Sequence, residues 1–374
     1  MVEVNKVNPI NILKVIATMC VFMLHTYIFS SQWGFVYGEK TWILKTPAWA
    51  AVWIFFMLSG FFIGKGFYSG KYKEEGKYTI KSILRFYLSR VIKIGVPVLS
   101  FSLLTLILLE PQTFFGDKQI IWKILTFSFF NEPASNVIGV TWYVSTLMRL
   151  YLCAPFVMYI LEKIFGGIKN NSKKKVMLVL LFVAIALLGL WGRINLYKRG
   201  VNWSSQVYVP FYCNLDIYVC GMLINFWDEE VKSIFKWGKF ISWILVIALI
   251  VLNIRVYYMS DYIFDCLIIY QYVMPTIYIF VIGFFLLNFG NEKVRYRKLS
   301  LDSLKENPLR CVELFESISF EFYLVHSMVL NCIYLHVSNG ETGIAIHLKL
   351  MVFAFVISTI LAYLMNRAFR IRRA

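Results

Sequence analysis

The sequence predicts an all-α integral membrane protein. Three observations carry that reading. The chain of 374 residues is 59% hydrophobic and 18% aromatic, with a mean hydropathy of +0.66, which is more apolar surface than a soluble chain of this size can bury. Its apolar residues fall in runs of about 20, the length of helix that crosses a bilayer. Its basic residues collect between alternate runs. About ten transmembrane helices follow, near residues 10–30, 48–66, 94–110, 138–161, 176–191, 206–226, 238–253, 266–288, 315–337 and 346–366. With the N-terminus in the cytoplasm, the inward segments hold 28 of the 38 Lys and Arg residues. That asymmetry puts both termini in the cytoplasm. The net charge of +17 is then a topology signal, and no nucleic-acid partner is expected.

The first span carries two ionisable residues, Lys14 and His25. Such groups are costly in lipid and normally face a protein interior or a wet cavity. They are 11 residues apart, three helical turns plus about 20°, so both lie on one face about 16 Å apart along the axis. Lys14 can snorkel to the headgroups, and His25 can serve a structural hydrogen bond; the rest of the chain decides between these readings and a functional one. No small-residue cleavage site follows, so the span is expected to be retained.

The outer loop that follows has Trp33, Phe35, Tyr37 and Trp42, residues that favour the membrane interface. The second span contains the small pair Ser59 and Gly60, where another helix or a ligand can approach the backbone. The basic inner loop ends on Arg85, Arg90 and Lys93 ahead of Pro97, suited to anionic headgroups or to a polyanionic cytoplasmic ligand. Within residues 110–139, the apolar stretch IIWKILTFSFF is too short to cross and reads as interfacial or re-entrant. The fourth span opens with Trp142, Tyr143, Arg149 and Tyr151, polar enough that one face must point inward.

Spans five to eight are aromatic and nearly free of charge except for Asp216. A hydrophilic inner segment, 292–310, leads to the ninth span, which has Glu316, Glu321, His326 and His336. Seven scattered cysteines show no metal-type spacing, and neither a disulfide framework nor a zinc site is expected. No internal repeat, Walker-type loop or dinucleotide fingerprint is visible.

Five blocks in order resemble the motifs of the acyltransferase family 3 membrane proteins. Lys14 with His25 resembles that family's Arg-x10-His signature, with Lys replacing Arg; IFFMLSGFFI resembles its FF-x-x-SGF segment; SRVIKIGVP resembles its basic RR-x-x-R-x-x-P segment. TWYVSTLMRLYLCAP is similar to the W-x-L…Y-L-x-x-P block, and FEFYLVH to the late Y-L-x-H block. Two departures stand out: lysine for arginine, which differ in bidentate phosphate contact, and Leu147 where many members carry glutamate. The second is similar to the subgroup acting on exported polysaccharides and surface glycans.

The resemblance implies one acyltransferase-3-like transmembrane domain over residues 1–374 in a multi-pass plasma-membrane protein of bacterial type. It would be an O-acetyltransferase moving an acyl group, usually acetyl, from cytoplasmic acetyl-CoA or another acyl-CoA to a hydroxyl of a surface polysaccharide or lipid-linked sugar. No metal is implied. Membrane lipid and the glycan acceptor are the expected partners. His25 is the expected catalytic base, with a pKa near working pH, and His326 its competitor. Lys14, Arg90 and Lys93 are candidates for the CoA phosphates, the pantetheine arm being comparable in length to the gap between Lys14 and His25. Ser59, Trp142, Tyr143 and Tyr151 are substrate or oxyanion candidates, and Glu321 or Asp216 can orient an imidazole. The alternative is a transporter or flippase for a glycan or sugar-lipid.

Overall fold

The computed structural model describes residues 7–32, 46–117, 119–126, 139–227, 237–260, 263–290, 310–337 and 344–370. The aromatic outer loop, the hydrophilic inner segment 292–310 up to residue 309, and the side chain of His336 lie outside the described residues. Among the described residues the chain is helical, apart from turns and one isolated bridge between Glu74 and Lys77.

The helices are α1 (Pro9–Gln32), α2 (Ala48–Tyr68), α3 (Ile80–Arg90), α4 (Val96–Leu109), the short α5 (Pro111–Gly116) and α6 (Ile120–Leu125), α7 (Trp142–Gly166), α8 (Asn171–Lys198), α9 (Leu215–Leu223), α10 (Gly238–Met259), α11 (Phe264–Ile268), α12 (Met274–Phe289), α13 (Arg310–Val337) and α14 (Ile344–Arg370). Among the described residues, eight helical segments are long and apolar enough to cross a membrane. The 315–337 segment is not among those eight, although α13 is 28 residues long: Glu321, His326 and Asn331 lower its mean hydropathy, and its last three side chains lie outside the described residues. The expected span at 206–226 is broken: a π turn (Ser204–Tyr208) and a 3-10 turn (Phe211–Cys213) flank Pro210 before α9 begins. Proline supplies no N–H there, and the Asn214 amide donates to the carbonyls of Tyr208 and Pro210 at 2.8 and 3.0 Å, holding the bend. The expected span at 94–110 continues back to Ile80 through a π turn, Val91–Gly95.

The most buried spanning helix is α2, and its widest contact is with α9. Gly60 is the reason the two come so close. A Cβ at Gly60 would collide with the Tyr218 carbonyl, and one at Gly221 with the Met57 carbonyl. Gly60 is thus a packing residue, as small residues commonly are between membrane helices. By contrast α8, α10 and α14 present long exposed rows of Leu, Ile, Val and Phe, the surface that lipid covers.

Candidate functional site

Helices α1 and α13 run side by side in the same direction and are joined by two polar rungs. At one end Lys14 Nζ meets Glu316 Oε1 at 2.8 Å, with both side chains 23% exposed; the ammonium also sits 4.7 Å from the centroid of the Phe62 ring. At the other end His25 Nδ1 and His326 Nε2 are 2.7 Å apart, with rings 5° from parallel. The rungs are 11 residues apart on α1 and 10 on α13, a rise of about 15–16 Å on each. Phe22 packs edge-on against Phe322 and His326 beside them.

The hydrogen-bond chain fixes which nitrogen can act as a base. His326 Nδ1 lies 3.2 Å from the Phe322 carbonyl, which only accepts, so Nδ1 carries the proton. In the neutral ring Nε2 then accepts, and His25 Nδ1–H is the donor to it. His25 Nε2 is left with its lone pair. This assignment follows from donor and acceptor chemistry.

His25 lines a cavity of about 90 Å³ with Trp49, Val52, Trp142, Tyr208 and Tyr323. The walls come from four elements. Trp49 and Val52 open α2, Trp142 opens α7, Tyr208 projects from the broken segment and Tyr323 lies one turn before His326. Hydrogen bonds lock the walls: Tyr208 Oη donates to the Trp49 carbonyl at 3.1 Å and Tyr323 Oη to the Val140 carbonyl at 2.8 Å. The rings of Trp142 and Trp203 each pack 4.9 Å from that of Tyr208.

Of the residues expected from sequence, His25, His326 and Trp142 come together here. Ser59 on α2 neighbours Tyr143 and Tyr151 on α7. Tyr143 reaches toward the histidines through its ring contact with Tyr323, 5.4 Å between centroids. Arg90 lies apart from the histidines, donating to Tyr72 Oη at 3.0 Å with its guanidinium 5.9 Å from the Tyr151 ring centroid. Lys93 is exposed on the π turn. Thr18 and Val21, between Lys14 and His25 on the same face, are buried, so the seam between those two residues is filled.

Of the two acidic residues suggested for an imidazole, Asp216 pairs instead with a buried arginine. Asp216 Oδ2 is 2.8 Å from Arg193 Nη2, both residues being buried. Arg193 also donates to the Cys213 carbonyl at 3.1 Å and Thr276 Oγ1 at 3.0 Å. Glu321 is buried five residues before His326, about 140° around the helix from it. Trp49 and Tyr208 were missed in the sequence: in a chain so rich in aromatics neither has a spacing that marks it. Tyr323 was legible, three residues from His326 in one motif. No group of three or more His, Cys, Asp or Glu side chains that could hold a metal occurs among the described residues.

Comparison with known proteins decides the class. The family model for the acyltransferase domain of acyltransferase family 3 matches residues 7–366, nearly the whole chain. The chain belongs to this family. No curated protein and no solved structure gives a match. With its multiple apolar helices the chain is a multi-pass membrane acyltransferase, which favours the enzyme over the transporter left open by composition.

Proposed function

We propose that this acyltransferase takes an acyl group, acetyl in the simplest case, from cytoplasmic acyl-CoA and passes it to a hydroxyl of a cell-surface or exported polysaccharide or a lipid-linked sugar. The observation that carries the chemistry is His25, oriented by His326 and facing a cavity. His25 Nε2 takes the proton of the acceptor hydroxyl as its oxygen attacks the thioester carbonyl. The tetrahedral intermediate collapses with cleavage of the C–S bond. The proton passes from His25 to the departing thiolate, giving ester and free CoA thiol with no net proton change. His326 acts through His25: it holds the ring tautomer and shares the imidazolium charge.

The donor's phosphates belong to the other end of the bundle, which faces the cytoplasm in this reading. Arg90 and Lys93 are the cations proposed to meet them. Lys14, already paired with Glu316, is assigned to fastening α1 to α13 and thereby setting the register of the histidines. Trp142 and Tyr208 form a stacking floor for a sugar ring, and Ser59, Tyr143 and Tyr151 lie behind that floor as the polar lining toward Arg90. The choice of a glycan acceptor rests on the resemblance at Leu147, a residue buried in the packing of α7.

The test is transfer of label from radiolabelled acetyl-CoA, with succinyl-CoA in parallel, by purified protein to mixed surface glycan. Label on the glycan with release of free CoA thiol supports the reading. Glycan movement across a reconstituted bilayer with no donor consumed would replace it with transport.

A further inference from the structure

Helix α3 has a face that no described residue covers. At 100° per residue, Ser82, Phe86 and Arg90 share one side, where Ser82 and Phe86 are buried. On the other side Ile80, Leu84 and Leu88 are 80%, 61% and 60% exposed, and Val91 and Ile92 extend the stripe across the π turn. Lys81 and Arg85 flank it along one edge, with side chains 75% and 65% exposed. The helix is therefore divided into three strips: protein, hydrocarbon and positive charge.

Length says where this helix sits. The segment Ile80–Leu109 has 30 residues, about 45 Å of helix against a hydrocarbon core of about 30 Å. About a third of it must lie outside the core, and the break falls at the π turn Val91–Gly95 followed by Pro97. The part before the break is α3. A helix at that level with an apolar stripe and a cationic edge matches the pattern of interfacial helices, whose charge complements anionic headgroups.

We propose that residues 80–92 form a docking face for anionic phospholipid, with Ile80, Leu84 and Leu88 entering the acyl boundary and Lys81 and Arg85 meeting the headgroup phosphates. Glu74 tempers this charge without cancelling it: one carboxylate stands 3.3 Å from Arg85 and 3.7 Å from Lys81. The same helix bears Arg90, which is bonded to Tyr72. Lipid on this face therefore steadies the element that presents Arg90, and the face itself is independent of which acyl donor the enzyme uses.

The experiment titrates the intact protein in neutral detergent with phosphatidylglycerol and, separately, phosphatidylcholine, counting retained lipid by native mass spectrometry. Wild type should retain phosphatidylglycerol in preference. In K81Q/R85Q that preference should fall about five- to thirtyfold, each basic residue near an anionic surface being worth roughly a factor of five. In K169Q/K173Q, which removes two lysines from the same end of the bundle, it should persist. L84S/L88S should lower retention of both lipids. Equal retention of the two lipids by wild type, or a preference that survives K81Q/R85Q, overturns the proposal. Dimers in nanodiscs that dissociate in L84S/L88S would also overturn it, assigning the stripe to a second copy of the chain.

Discussion

His25 and His326 meet at 2.7 Å with nearly parallel rings, and the carbonyl of Phe322 behind His326 fixes the direction of both protons. The two residues are consequently unequal. His25 has a nitrogen available at the cavity, whereas His326 is buried with both nitrogens engaged. His326→Gln keeps an acceptor for the His25 proton and should retain more transfer than His326→Leu, which leaves none. The expected separation is about tenfold or more in kcat with little change in KM for the donor, since only the base is misoriented. Steady-state kinetics on the two variants check it.

A histidine that removes a proton must be neutral. Transfer should therefore rise with pH through the titration of the pair and level off above it. The pair titrates as a unit, so the profile reports its apparent constants rather than those of one ring. In His326→Gln the profile should move, because the coupled partner is gone. A kcat that falls as pH rises through the titration of the pair in wild type would remove His25 from the base role.

Lys14 and Glu316 close the opposite end of the same helix pair. At 23% exposure each, their pairing lies between the surface case and the buried one. Lys14→Ala or Glu316→Gln should lower stability by about 1–2 kcal/mol, read from thermal unfolding in detergent. The exchange K14E/E316K should recover much of it. If transfer is lost in the exchange while stability is regained, Lys14 has a role in the donor site beyond fastening.

Arg193 and Asp216 form a more deeply buried ion pair, with side chains 3% and 7% exposed. Removing one partner strands the other and should cost about 3–5 kcal/mol, whereas replacing both by apolar residues of similar volume should cost far less. Expression level and unfolding temperature of Asp216→Ala against R193M/D216L separate the two outcomes.

Outside the bundle, the Thr79 hydroxyl, at 2.7 Å, and then Lys81 and Arg85 hold the Glu74 carboxyl below the usual carboxylate range. A depressed folded value means that the contact stabilises the turn before α3 fully above the ordinary carboxylate pKa of about 4.3. That contribution is lost as pH falls through the lowered value. Hydrogen exchange over residues 69–82 should thus loosen only at acid pH, and Thr79→Val should move the loosening to higher pH.

Much of the membrane architecture was legible because hydrocarbon imposes a length on every span. The shared face of Lys14 and His25 followed from an 11-residue interval alone. Their partners did not, because Glu316 and His326 lie some 300 residues away and only packing sets the register between α1 and α13. Gly60 was readable as a close-approach residue, while its partner Gly221 had no comparable mark. The bend at 204–213 was hidden because its residues are as apolar as a straight span, and Pro210 alone does not tell a kink from a break. Tyr208 reached the cavity through that bend. Arg193 sits at the end of a long apolar run, where an arginine ordinarily snorkels outward, yet here it turns inward to Asp216.

The role of His25 as base is tested by single-turnover transfer from labelled acetyl-CoA to glycan by wild type, His25→Ala and His326→Ala in one membrane preparation, with folding confirmed for each. His25→Ala should lose about two to four orders of magnitude and His326→Ala less, because there the base remains but is no longer held. Equal transfer by wild type and His25→Ala, with activity lost only in His326→Ala, would contradict that role and make His326 the base.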